Sequence, residues 1–79
     1  MLKLYQAEWC PYCVRVRSRM TDLGISYINI NVPRNKSDRE ELIKLCGKAG
    51  IPTMVCENGK IIADDDDTII EHLDKTYSK

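Results

Sequence analysis

The sequence has no net charge: twelve Lys and Arg are matched by twelve Asp and Glu. Nucleic acid and anionic membrane surfaces both select concentrated positive charge, so neither is expected as a partner. No apolar run approaches the roughly 20 residues needed to cross a bilayer. The first residues, Met1 to Tyr5, lack the long apolar core and small-residue cleavage site of a secretory signal. With His72 the only histidine, a metal-binding histidine pair is excluded. No Ser/His/Asp arrangement and no glycine-rich phosphate loop is visible. No repeat, low-complexity stretch or linker divides the chain, which reads as a single domain over 1–79.

Hydrophobic residues make up 43% of the sequence, which suits a packed globule rather than a disordered segment. At 79 residues, however, burial alone leaves a domain only marginally stable, so the four cysteines need an explanation. A structural disulfide framework implies an oxidising compartment, for which the N-terminus offers no signal. A zinc site needs two close pairs or a Cys/His quartet. Here Cys10 and Cys13 are close, while Cys46 and Cys56 are ten apart and His72 stands alone. The remaining reading is a redox Cys-x-x-Cys in a cytoplasmic protein that keeps its thiols reduced.

Leu2 to Gln6 alternates apolar and polar residues and predicts a first strand. Pro11 suits the first turn of a helix, along which Cys13, Val16, Met20 and Leu23 share a face until Gly24 stops it. Ile25 to Val32 is β-branched and aromatic, a second strand ended by Pro33. Ser37 and Glu40 form a capping box opening a second helix, with Leu42, Leu45 and Cys46 inward and Gly47 at its close. Pro52 to Cys56 predicts a strand, Asn58-Gly59 a tight turn and Lys60 to Ala63 the returning strand. Asp64 to Asp67 suits the positive end of a third helix with Ile69, Ile70 and Leu73 inward. The order is β-α-β-α-β-β-α. A right-handed crossover makes the first strands parallel and the hairpin makes the last antiparallel, so the class is α/β with a mixed sheet.

Cys10 falls where the first strand gives way to the first helix. Unpaired backbone N–H groups and the helix dipole there stabilise thiolate over thiol. Cys13 follows one turn later and leans back toward Cys10. The spacing permits a two-residue disulfide loop, with Cys10 as attacking thiolate and Cys13 as resolving thiol.

Trp9-Cys10-Pro11-Tyr12-Cys13, at the start of a helix after a first strand, resembles the dithiol motif of glutaredoxins in the thioredoxin superfamily. Far along the chain, Gly50-Ile51-Pro52-Thr53 resembles that family's cis-proline loop. The resemblance implies a thioredoxin-like fold, with a four-stranded mixed sheet flanked by three helices. It implies a cis Ile51–Pro52 bond facing Cys10, with Ile51 offering its backbone to a substrate's cysteine. It also implies thiol–disulfide oxidoreductase activity on protein or glutathione mixed disulfides. Glutathione or a thioredoxin-reductase-type enzyme would be the electron donor, and no dissociable cofactor would be needed. The protein is expected to act as a monomer.

Gly59 to Leu73 looks closer to the N-terminal domain of glutathione transferases, where an acidic-Ser pair holds the γ-glutamyl group. Asp65-Asp66 occupies that place. Three departures bear on glutathione recognition rather than on the dithiol chemistry. Ala7 stands where glutaredoxins usually have Lys, Gly50 where Thr is common, and Ala63-Asp64 where a Gly-Gly pair is usual. Four neighbouring carboxylates would repel a bound carboxylate and favour an ammonium. Two noncatalytic readings compete: a glutathione-transferase-like thiol-binding module, and an iron–sulfur carrier ligated by Cys10, against which Pro11 argues.

Tyr12 is expected to cover the edge of the disulfide and shape the substrate groove. Cys46 and Cys56 read as small core residues, with a regulatory disulfide between them as the competing reading. Arg15, Arg17 and Arg19 are expected as solvated charge around the first helix, Arg15 also steering anions toward Cys10. His72 is expected to be exposed. The aspartate run lacks the spaced ligands of a calcium loop and reads as helix capping.

Overall fold

The computed structural model describes residues 1–78. Its elements are β1 (Lys3–Gln6), α1 (Pro11–Asp22), β2 (Ile28–Asn31), α2 (Glu40–Cys46), β3 (Thr53–Val55), β4 (Ile61–Ile62) and α3 (Asp66–Tyr77). The sheet order is β2-β1-β3-β4. β1 pairs parallel with β2, placing Leu4 opposite Asn29, and antiparallel with β3, placing Leu4 opposite Met54. β3 and β4 form the expected hairpin, with Met54 opposite Ile62.

Alternation along β1 decides what lies on each face of the sheet. Leu2 and Leu4 join Val16 and Met20 of α1, Met54, Ile62, and Ile69 and Leu73 of α3 in the main core. Tyr5 points the other way, where its hydroxyl donates to Glu41 Oε1 of α2 at 3.2 Å. α1 ends as expected at Gly24, which takes φ +69°. Its N–H reaches Thr21 O at 3.0 Å and the Ile25 N–H reaches Met20 O at 2.9 Å, capping the last carbonyls.

Three expectations are corrected. β2 is shorter than Ile25 to Val32, because Ile25 and Tyr27 pack on the core before pairing begins. The capping box does not form. Asn35 Oδ1 instead accepts from the Ser37 N–H at 3.1 Å and its hydroxyl at 2.9 Å, capping a single 3₁₀ turn over Lys36–Asp38. The cause lies at Arg39, which turns inward and breaks the helical path at φ −85°, ψ 55°. The residue is 3% exposed, and its guanidinium donates to Pro33 O (2.8 Å), Ala49 O (2.7 Å) and Arg34 O (3.2 Å). α2 is therefore seven residues long, with Leu42 buried but Leu45 and Cys46 only half-buried.

The hairpin turn also differs in register from Asn58-Gly59. The Gly59 N–H bonds to Cys56 O at 2.9 Å, so Glu57 and Asn58 are its central residues. Gly59 follows at φ +88°, a conformation open to glycine because it lacks a Cβ.

Candidate functional site

Cys10 is the N-cap of α1, extended at φ −82°, ψ 117°, and Pro11 opens the helix. The Cys10 N–H donates to Ala7 O at 3.2 Å, and the Cys10 carbonyl takes the Val14 N–H at 3.0 Å. Ala7, Cys10 and Cys13 form a small buried cluster against which Ile51 packs. Cys10 keeps 6% of its surface exposed and Cys13 none, so of this pair only Cys10 is reachable from solvent. Burial pushes the Cys13 thiol up to about 12, and the adjacent Cys10 sulfur adds to the rise. A backbone hydrogen bond from Ala7 and the Arg17 guanidinium act in the opposite direction.

The Ile51–Pro52 bond is cis, in line with the expectation. Tyr12, Ile51, Pro52, Asp64 and Asp66 line a cleft of about 170 Å³. A larger cleft of about 260 Å³ lies beside Tyr5, Arg39 and Leu42, but it is the smaller one that shares Ile51 with the Cys10–Cys13 cluster. The structure thus brings together Cys10, Cys13, Tyr12, Ile51, Pro52 and Asp66. Asp65 is not part of the cleft wall: it caps α3, its carboxylate taking the Thr68 N–H at 3.0 Å and the Thr68 hydroxyl at 2.7 Å. Those bonds, the hydroxyl's first, hold the Asp65 carboxyl below its ordinary range.

Asp64 reaches the cleft by a route that sequence reasoning did not anticipate. It sits at φ +52°, its N–H donating to Thr53 Oγ1 at 3.2 Å, while the Thr53 hydroxyl donates to Gly50 O at 2.9 Å. The Asp64 carboxylate occupies the space where a Cβ at position 50 would stand. Gly50 and Asp64, two of the departures noted above, are therefore in contact. That coincidence was the available signal.

The arginines of α1 are not free surface charge. Arg15 pairs with Asp66 and, at 2.9 Å, with Asp67, which offsets the acidity beside the cleft. Arg19 pairs with Asp74 of α3. Arg17 turns toward β1, donating to Gln6 Oε1 and to Ala7 O. On the other side of Cys10, the Arg34 guanidinium lies 4.4 Å from the Trp9 ring centroid. Trp9 and Tyr12 both remain exposed, flanking the reachable thiol.

All four cysteines are free thiols. Cys56 is buried in the main core, which raises its pKa and suits the packing role expected of it. Cys46 is half-buried, its thiol donating to Leu42 O and Lys48 O, both at 3.4 Å. His72 is half-buried rather than exposed, in the wall of a cavity with Cys56 and Tyr77. No group of three metal-ligating side chains is found among the described residues, and no helix there is long and apolar enough to cross a membrane.

The glutaredoxin family model matches residues 2–62. Glutaredoxin 3 of Escherichia coli K12 is 31% identical over 65 residues, spanning 82% of this chain and 78% of its own length. Among solved structures, the glutaredoxin 2 of Salmonella typhimurium in complex with glutathione superposes over 100% of this chain with a TM-score of 0.86 and 19% identity. The glutathione transferase E6 of Drosophila melanogaster superposes over the same span with a TM-score of 0.85 and 23% identity. The chain spans 35% and 36% of those two longer proteins, and at such identities the likeness is one of fold.

Proposed function

The chain belongs to the glutaredoxin family of thiol–disulfide oxidoreductases, and from that premise we propose that Cys10 and Cys13 reduce disulfides by two successive exchanges. Cys10, as thiolate, attacks one sulfur of a protein or glutathione mixed disulfide, and the other sulfur departs and takes up a proton. Cys13 then attacks Cys10, releasing the second substrate thiol and leaving a Cys10–Cys13 disulfide. Two glutathione thiols, oxidised in turn to their disulfide, or the reduced dithiol of a thioredoxin-reductase-type flavoenzyme, return the pair to dithiol by the same exchange. The single observation that carries this reading is the contrast at the start of α1: a reachable Cys10 at the helix N-cap beside a fully buried, protonated Cys13.

Ile51 is the residue whose backbone lies against a bound substrate cysteine, and Tyr12, Pro52, Asp64 and Asp66 shape the groove. Glutathione as the thiol partner is supported by the glutathione complex of the Salmonella protein of the same fold.

The test is mixed-disulfide reduction by wild type, Cys10→Ser and Cys13→Ser, with glutathione and separately with a thioredoxin reductase system. Cys10→Ser is expected to lose at least about a hundredfold with either donor, as loss of a nucleophile does. Cys13→Ser is expected to accumulate a mixed disulfide with protein substrates. Full activity in Cys10→Ser overturns the mechanism, and turnover with the reductase alone overturns glutathione as donor.

A further inference from the structure

Arg17 lies one turn beyond Cys13 on α1, so both side chains share a helix face and lean toward its N-terminus. Its side chain is 21% exposed because β1 draws it inward. Nη1 donates to Gln6 Oε1, and to Ala7 O at 3.3 Å. Gln6 is completely buried, and its amide nitrogen is committed to Asn31 Oδ1 (2.7 Å) and Glu8 Oε2 (2.9 Å), which turns its oxygen toward Arg17. Ala7 meets both cysteines: its carbonyl accepts from the Cys10 backbone N–H, and its own backbone bonds to the Cys13 sulfur. The clamp thus fixes a permanent positive charge on the Ala7 carbonyl, at the edge of the buried cluster that holds Cys13.

The geometry points to Arg17 as the positioning residue of the resolving step: held by Gln6 and the Ala7 carbonyl, it stabilises the Cys13 thiolate as it forms and fixes the Ala7 backbone against it. This inference rests on the dithiol reading above. In that step the Cys13 S–H bond breaks and a sulfur–sulfur bond forms to Cys10. The bond from Cys10 to the substrate sulfur breaks, and the substrate sulfur leaves with the electron pair and takes up the proton given by Cys13.

In the dithiol, burial and the Cys10 sulfur act on Cys13 more strongly than Arg17 does, but Cys10 carries no charge once it is in the mixed disulfide. On α1 the neighbour is the Cys10 thiol, and from the cis-proline loop come Ile51 and Pro52, both uncharged. Asp66 of α3 is committed to Arg15, and Asp64 faces Gly50. Glu8, 3.4 Å from Arg17 and 70% exposed, partly offsets it.

The experiment takes the reduced full chain carrying Cys46→Ser, which removes the other accessible thiol, mixes it with one equivalent of 5,5′-dithiobis(2-nitrobenzoate) and follows the chromophore. The first release reports attack by Cys10 and the second, concentration-independent, reports attack by Cys13. Arg17→Gln is expected to leave the first release within about twofold and slow the second by more than that, about threefold, moving its rise with pH upward. Arg17→Lys, which keeps the charge, restores the second release. Glu8→Gln removes the offsetting carboxylate and moves the rise to lower pH. Equal slowing of both releases by Arg17→Gln, an unchanged second release, or a slower second release in Glu8→Gln overturns the role of Arg17. A wild type with no second release overturns the dithiol reading instead.

Discussion

Two residues that depart from the family's usual pattern prove to be one compensated change. Gly50 leaves room for the Asp64 carboxylate, which would overlap any Cβ placed at position 50. Asp64 is held at φ +52° by its N–H bond to Thr53 Oγ1. Gly50→Thr forces these groups apart and is expected to lower stability by about 2 kcal/mol, within the range for overpacking. Adding Asp64→Gly relieves the overlap and supplies a residue that accepts positive φ. A urea-denaturation double-mutant cycle is expected to show the double variant more stable than Gly50→Thr alone. Additive losses would mean that the two positions are not coupled. The roles proposed for Cys10 and Cys13 at this scale rest on residue type and spacing. The Gly50–Asp64 contact does not, because it joins positions fourteen apart through a turn whose geometry sequence spacing leaves open.

Among the elements, α2 shows how a single buried cation overrides a local signal. Ser37 and Glu40 carry the correct residues for a capping box, yet Arg39 leaves the helical path to reach three carbonyls. Those carbonyls belong to Pro33, Arg34 and Ala49, so Arg39 joins the Trp9 side of the site to the segment leading into Gly50 and Ile51. Arg39→Met leaves the carbonyls without a protein donor and is expected to cost about 3 kcal/mol. Faster amide hydrogen exchange at Gly50 and Ile51 should accompany that loss. Exchange unchanged at both would show that Arg39 does not hold the cis-proline loop. α1 and α3, in contrast, match their expected spans closely, because each has an apolar face at helical spacing and a local stop or cap.

For the whole molecule, the buried thiol links stability to pH. Cys13 is raised to about 12 in the fold from an ordinary value of 9.0, so the folded state keeps its proton where the unfolded chain loses it. This contribution is fully present below pH 9 and is lost as pH rises toward 12. The slope is at most about 1.4 kcal/mol per pH unit for one proton. Burial raises Tyr5, Cys56 and Tyr77 as well, and each acts in the same direction. Urea midpoints of wild type and Cys13→Ala between pH 8 and 11 isolate the Cys13 share. The wild type is expected to lose stability more steeply, and parallel slopes would refute the assignment. Zero net charge likewise acquires a structural meaning. The basic residues of α1 lie against the acids of α3, with Arg15 on Asp66 and Asp67 and Arg19 on Asp74.

By itself, the sequence determined the element order, the mixed sheet, the N-cap position of Cys10 and the placement of Cys13 one turn behind it. Hydrophobic period, proline and glycine positions and residue spacing are local properties, and they need no partner across the fold. Tertiary structure alone decided where the charges and loops settled: Arg17 on Gln6 and Ala7, Arg39 on three carbonyls, Asp64 over Gly50. A buried polar or charged side chain must find its hydrogen-bond partners wherever the fold brings them. Those partners lie in other segments of the chain, beyond the reach of any local pattern.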